Sequence, residues 1–254
     1  MKVGFAGAGN MAAAMARGWA AGDGGPEEML FCDLDAERAA AVAAEVGGGT
    51  LAGLSELADE SDVLVLAVKP AALDDVAAEL DGTAPALISV LAATPTERIA
   101  GAFPGVPVLR VMPNQPVEVR HGVLCYAKPQ AMPAELEESL LDLLGLLGTL
   151  VRLEETQIDA AMAIMSSSPA YIALVAEALA RSGEGEGLDA GLARELVAGA
   201  LAGTAALLTK RDPAAIRKAV ASPGGATEAG LAKLEGVVDD ALASAVNASL
   251  ERVR

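Results

Sequence analysis

Histidine occurs once in these 254 residues, cysteine twice, and aromatic side chains make up only 2% of the chain. Each scarcity removes a class of explanation. The two cysteines, Cys32 and Cys125, lie far apart in apolar runs, with no C-x-x-C partner and no histidine cluster. That pattern predicts buried, reduced thiols in a cytoplasmic protein, with neither a disulfide framework nor a metal site. With so few rings, alanine, leucine and valine must fill the core, and helices and strands must approach closely. Positive charge is also short: 18 lysines and arginines face 35 aspartates and glutamates, a formal net charge of −17. Such a chain lacks the cationic surplus that nucleic acid or an anionic membrane surface requires. The longest strongly apolar stretch, 196–208, has 13 residues including glycines, short of the ~20 needed to cross a bilayer. The N-terminus, Met1-Lys2 followed by small apolar residues, superficially resembles a secretory signal, but Asn10 and the paired glycines suit a turn better than a hydrophobic signal core.

What is present has a clear order. Residues 2–6 read as a buried strand, the stretch from Gly9 to about Ala21 as a helix, 29–32 as a second strand and 36–46 as a second helix. Continuous apolar runs of strand length follow at 63–68, 86–91 and 106–112. Such runs alternating with helices predict an α/β, doubly wound parallel sheet of Rossmann type over residues 1–155. From 156 to 254 only helical patterns occur, at 157–182, 189–209, 213–220 and 226–252, predicting an all-α second domain. The helix at 189–209 is apolar on nearly every side apart from Arg194 and Glu195. A tail of this size has little room to bury it, so a subunit interface is expected to cover it.

The motif Gly7-Ala8-Gly9-Asn10-Met11-Ala12 follows the first strand and opens the first helix. In that context Gly7 permits the tight turn, Gly9 lets a pyrophosphate approach the backbone, and Ala12 allows close helix–strand packing. A dinucleotide, NAD(P)H, is therefore the expected cofactor, held by Gly7, Gly9, Asn10 and Met11. Because the chain is so acidic, backbone N–H groups and helix N-termini must supply much of the positive potential. Asp33, just after the second strand, stands where a carboxylate receives the ribose hydroxyls of NADH and repels the extra phosphate of NADPH; the other reading is a solvated loop acid. It gives a lean towards NADH. Arg38 is near enough to meet a phosphate, though a solvent-facing position on the second helix is expected. Ala67-Val68-Lys69-Pro70 and Met112-Pro113-Asn114 end later strands at the carboxyl edge, where ligands of such sheets lie. Lys69 either attracts an anionic ligand or is a surface lysine, and Asn114 either meets the nicotinamide or caps a turn.

In the helical half, Ser222-Pro223-Gly224-Gly225-Ala226-Thr227 places two glycines at a helix start with a threonine just inside. This is either an anion site of backbone N–H groups that also presents a hydroxyl, or simply a capped helix. Ser166-Ser167-Ser168-Pro169-Ala170-Tyr171 sets three hydroxyls before a proline placed for a helix start or bend. Residues 156–180 contain no lysine, arginine or histidine, so the cationic acid/base that an alcohol-forming dehydrogenase uses is missing there. His121 is expected at the surface.

Taken in order and spacing, these segments resemble the pyrroline-5-carboxylate reductase family over nearly the whole chain. The resemblance implies reduction of a cyclic imine, L-1-pyrroline-5-carboxylate, to L-proline by NAD(P)H, the last step of proline biosynthesis. It also implies homodimers made by interlocked helical domains, often built into larger rings. By resemblance Thr227 hydrogen-bonds the ring nitrogen, and the N–H groups of Gly224, Gly225 and Ala226, after Ser222, take the substrate carboxylate. Three positions depart from the family pattern: Ser166 and Ala93 stand where glycine is usual, and Leu54 where an asparagine often meets the adenosine ribose. A reductase of another small cyclic imine or keto acid, and a non-catalytic NAD(P)H-binding regulatory paralogue, are the competing expectations.

Overall fold

Strict alternation along the buried strands builds the core. In the computed structural model, which describes residues 1–129 and 132–253, Val3 and Phe5 of β1 (Lys2–Ala6) face one side of a sheet, while Ala6 faces the other. The chain continues through α1 (Asn10–Ala20), β2 (Glu28–Cys32), α2 (Ala36–Val46), β3 (Gly49–Thr50) and α3 (Leu54–Asp59). It then runs through β4 (Val63–Leu66), α4 (Leu73–Leu80), β5 (Leu87–Ser89), α5 (Thr96–Ala102) and β6 (Val108–Met112). The sheet order is β3-β2-β1-β4-β5-β6, all parallel, which is the expected doubly wound arrangement. Continuous apolar strands such as Val-Leu-Val-Leu in β4 occur because both faces are covered.

The sheet continues past β6 with two further strands. β7 (Gly122–Ala127) pairs antiparallel with β6, and β8 (Gly148–Leu153) pairs parallel with β7. The physical reason lies in the connections. Residues 113–121 are too few for a crossover, so β7 must reverse, whereas α6 (Ala134–Gly145) supplies the crossover that makes β8 parallel.

The scarce aromatics are pooled. Phe5 stacks on Phe31 at 4.8 Å between ring centroids and meets Trp19 at 6.0 Å, and the Trp19 indole N–H donates to the Leu143 carbonyl at 2.9 Å. Elsewhere alanines let helices lie close: Ala12, Ala13, Ala14 and Ala16 of α1 are all buried.

The chain divides into two compact units, Met1–Ser167 and Ser168–Glu251. α7 (Ile158–Met165), the first helix after residue 155, belongs to the sheet unit and packs through Ile158 and Met162 on Met112, Cys125 and Ala127. The helix expected over 157–182 is thus two, α7 and α8 (Ser168–Gly185), parted at 166–167. Pro169, which has no N–H to donate, falls in the first turn of α8. The second unit continues with α9 (Ala190–Leu208), α10 (Pro213–Val220), α11 (Ala226–Leu234) and α12 (Val237–Val253). The expected helix 226–252 is also broken in two, at Gly236, whose φ of +81° places it in the left-handed region that ends helices.

The second unit leaves much apolar surface uncovered within one chain, including Leu174 and Leu179 of α8, Leu192 and Leu196 of α9 and Val237 of α12. Two stretches, 155–185 and 190–208, are long and apolar enough to cross a membrane by length and composition alone. The second exceeds the 196–208 run because Ala190, Gly191 and the following residues join it as one helix.

Ala93, where the resembled family usually has glycine, adopts φ +53°. A non-glycine residue there costs roughly 1–2 kcal/mol, against roughly 0.5–1 kcal/mol of extra chain entropy for glycine. Ala93→Gly is therefore expected to raise stability by about 0.5–1 kcal/mol, a gain of about 2 °C in melting temperature readable by calorimetry. A loss of stability would show that the turn is not strained.

Candidate functional site

The dinucleotide turn is built where β1 meets α1. Gly7 has φ +98°, and a Cβ there would lie 2.7 Å from the Ala67 carbonyl oxygen, so glycine is demanded twice over. Its N–H donates to the Cys32 carbonyl at 2.8 Å, tying the turn to the end of β2. Gly9, by contrast, has nothing within 4 Å of where a Cβ would stand. As N-cap of α1 it provides no side-chain cap, so the helix N-terminus at Asn10 and Met11 presents backbone N–H groups and dipole to an open face. That open, uncapped start fits a pyrophosphate, and it is the observation by which these residues suit NAD(P)H.

Asp33 is not a solvated loop acid. Its side chain is 7% exposed. One oxygen accepts the Ala8 N–H at 2.6 Å, and the other accepts the Asp35 N–H at 2.8 Å and an Arg38 guanidinium N–H at 2.6 Å. Burial alone would push this carboxyl up; the three donors and the Arg38 charge outweigh it and hold it below the ordinary carboxylate value. Its stabilising contribution is therefore fully present above the ordinary value of about 4 and is lost as pH falls through the depressed one. Arg38, expected to face solvent, is half exposed but turned onto Asp33.

At the carboxyl edge of β4, Ala67 donates its N–H to the Ala6 carbonyl, Val68 is half-buried, and Lys69 is exposed before a short turn, Pro70–Ala72. Lys69 makes no ion pair among the described residues. Asn114 is buried and engaged at both ends of its carboxamide, which donates to the Met165 carbonyl at 3.0 Å and accepts the Val123 N–H at 2.8 Å. It joins the end of β6 to both β7 and the last turn of α7. Leu54 is buried in the core and offers no polar group. Cys32 and Cys125 are buried and unpaired, and burial raises both thiols, so they stay protonated.

In the helical unit, Gly224 has φ +72° and Gly225 is the N-cap of α11, with no side-chain cap. Ser222 accepts the Gly225 N–H through its carbonyl at 2.9 Å. Gly224 gives its N–H to the Glu228 carboxylate at 2.7 Å. Two of the three N–H groups expected to take a substrate carboxylate are thus engaged within the chain, one by a carboxylate. Ala226 and Thr227 form the first turn of α11 and are exposed. Glu228 was legible as an acid three residues after a helix start, the spacing that lets a side chain reach back to an N-terminal N–H. Arg110, 2% exposed in β6 and paired with Glu155 and Asp159, was also passed over. The signal was present, a single cation inside an apolar strand.

Comparison with known proteins places these elements. Residues 155–254 match the pyrroline-5-carboxylate reductase dimerisation family, and residues 2–93 match the family described as NADP oxidoreductase coenzyme F420-dependent. The pyrroline-5-carboxylate reductase of Pseudomonas aeruginosa is 35% identical over 264 aligned positions, covering 99% of this chain and 95% of that protein. That of Synechocystis sp. is 39% identical over 202 positions, 78% of this chain and 76% of the relative. Among solved structures, the 1-pyrroline-5-carboxylate reductase of Streptococcus pyogenes superposes with a TM-score of 0.89 at 28% identity, covering 100% of this chain and 98% of the other. The Plasmodium falciparum enzyme with NADP bound gives 0.88 at 25%, covering 100% and 97%. With its sheet unit, its helical unit and its full length all aligned to such proteins, the chain belongs to the pyrroline-5-carboxylate reductase family.

Proposed function

We propose that this chain reduces L-1-pyrroline-5-carboxylate to L-proline with NAD(P)H. The single observation that carries the proposal is the uncapped, open N-terminus of α1 at Gly9, on a chain that aligns with pyrroline-5-carboxylate reductases from end to end. The reduced nicotinamide supplies a hydride to the imine carbon, and a proton on the ring nitrogen completes the amine. The chain's residues bind and orient. The α1 N-terminus holds the pyrophosphate, with Asn10 and Met11 in its first turn. Ala67 to Pro70 and Asn114 border the crevice at the carboxyl edge of the sheet, and Lys69 adds a cation there. Thr227 hydrogen-bonds the ring nitrogen. The substrate carboxylate sits at the α11 N-terminus, on the Ala226 N–H and, once Glu228 gives way, on that of Gly224. The absence of lysine and histidine from 156–180 favours an imine over a keto acid, because a bound iminium already carries its proton. The test is incubation of the purified chain with pyrroline-5-carboxylate and NADH or NADPH. Consumption of reduced cofactor is expected; no consumption with either, across pH and salt, removes the proposal.

For the cofactor, Asp33 supports a modest preference for NADH, tempered by Arg38, which neutralises part of its charge. NADPH is accepted by release of Arg38 to the 2′-phosphate. Arg38→Met is expected to shift the ratio of kcat/KM values about tenfold further towards NADH, the equivalent of one charge-assisted hydrogen bond. An unchanged ratio would exclude Arg38 from cofactor choice. The exposed apolar faces of α8, α9 and α12 support a homodimer or a dimer-based larger assembly, formed through the helical unit. Two buried, unpaired thiols support a reducing cytoplasmic location.

A further inference from the structure

Arg110 occupies an interior position of β6 where its neighbours Leu109 and Val111 are wholly buried. Its Nη1 lies 2.5 Å from Glu155 and its Nη2 3.2 Å from Asp159, while its Nε is buried with no partner among the described residues. Glu155 is held a second time: it accepts the Thr96 backbone N–H at 3.0 Å and the Thr96 hydroxyl at 2.7 Å. The guanidinium is buried while the Glu155 and Asp159 side chains are 37% and 43% exposed, and burying a charge in this way is a poor means of gaining stability, since packed apolar side chains do as well or better. What it does supply is registry, because a buried guanidinium ties Glu155 and Asp159 to one position along β6.

The other end of the same helix is fastened independently. Asn114 donates to the Met165 carbonyl, and the Ser166 hydroxyl donates to the Pro113 carbonyl at 3.2 Å. From Arg110 to Asn114 a strand advances about 13 Å, and from Asp159 to Met165 a helix advances about 9 Å. The two fastenings hold α7 near both of its ends along β6. Its last turn comes to the carboxyl edge of β6, the side of the crevice on which the nicotinamide half of a dinucleotide lies in a doubly wound sheet.

We infer that Arg110 is a positioning residue for hydride transfer: by fixing the register of α7 on β6 through Glu155 and Asp159, it sets the wall formed by Met165 and Ser166 at the nicotinamide end of the crevice. The inference rests on the reductase activity proposed above. The pyrophosphate, held at α1, is remote in the fold from this clamp, so cofactor affinity and turnover separate.

The test compares wild type, Arg110→Lys, Arg110→Met and the near-isosteric Glu155→Gln for kcat, KM, NAD(P)H affinity, melting temperature and the primary isotope effect with cofactor deuterated at the transferred position. Wild-type turnover decides the reductase proposal by itself; the ratios of variant to wild type decide this one. Glu155→Gln is expected to fold and to lower kcat about tenfold, with NAD(P)H affinity within threefold and a larger isotope effect, since hydride transfer becomes slower than the other steps. Arg110→Met is expected to do the same more severely, and Arg110→Lys to recover part of kcat. If folded Glu155→Gln keeps wild-type kcat and isotope effect while only its melting temperature falls, the clamp is structural and the inference is overturned. A fall in cofactor affinity equal to the fall in kcat would overturn it as well.

Discussion

Gly9→Val is expected to weaken NAD(P)H binding more than about 100-fold, roughly 2.7 kcal/mol or more, while costing the fold only about 1 kcal/mol for a poorer N-cap. The asymmetry follows from the two sides of this residue. Its φ of −72° and ψ of −177° are open to any side chain, and beyond its own chain neighbours no atom of the described residues stands within 4 Å of the position a Cβ would take. The apoprotein therefore accepts valine. The added methyl groups project from the N-cap of α1, into the place proposed for the pyrophosphate at the helix N-terminus. Titration of reduced cofactor, followed by its fluorescence, reads the loss, and calorimetry checks the fold. The contrasting variant, Gly7→Ala, is expected to destabilise the protein itself, because it sets a Cβ against the Ala67 carbonyl at φ +98°. Valine at 9 with wild-type cofactor affinity would remove the α1 N-terminus from the binding site.

Thr227→Ala is expected to lower kcat by about 100-fold, the lower end of what a positioned proton donor or transition-state hydrogen bond contributes. Cofactor affinity should change less than threefold, since Thr227 lies in the helical unit and the pyrophosphate site in the sheet unit. The hydroxyl's task is proposed as a bond to the ring nitrogen, whose basicity changes as hydride arrives, so its worth is larger in the transition state than in the ground state. KM should therefore rise little. Thr227→Ser, which keeps the hydroxyl, should recover most of the rate. An unchanged kcat in the alanine variant excludes Thr227 from the reaction.

The engagement of Gly224 by Glu228 bears on the same site. A carboxylate of the chain already holds an N–H that the proposed substrate carboxylate would use, so at the proposed site substrate would exchange one anion for another at the head of α11. This pairing was open to inference from the spacing of the acid, but the spacing alone also fits an exposed glutamate pointing away. In the fold Gly224, at φ +72°, gives its N–H to the Glu228 carboxylate at 2.7 Å.

The strand, turn and helix at 2–20, the parallel, doubly wound character of the sheet through five of its first six strands and the helical character of everything after residue 156 were legible in the residues themselves; β3, only two residues long, was not. Each rests on interactions over a few positions: alternation across a buried strand, a positive-φ glycine, an apolar period along a helix. The breaks at 166–167 and at Gly236 were within the same reach, marked by Pro169 and by a glycine. What only the tertiary structure decided are contacts between residues far apart in the chain. Ala8 and Asp33 are 25 positions apart, Arg110 and Glu155 are 45, and Asn114 and Met165 are 51. The antiparallel turn into β7 belongs with them, because strand direction depends on what the neighbouring strand leaves unpaired. A polar side chain's identity states which bonds it can make; folding alone chooses the partner, since burial removes water and leaves whichever donor or acceptor the packing brings within reach. Local patterning was enough to mark a dinucleotide turn and a helical second half in this chain. The tertiary structure decided that Asp33 braces that turn with Arg38 beside it, and that α7 is latched along β6.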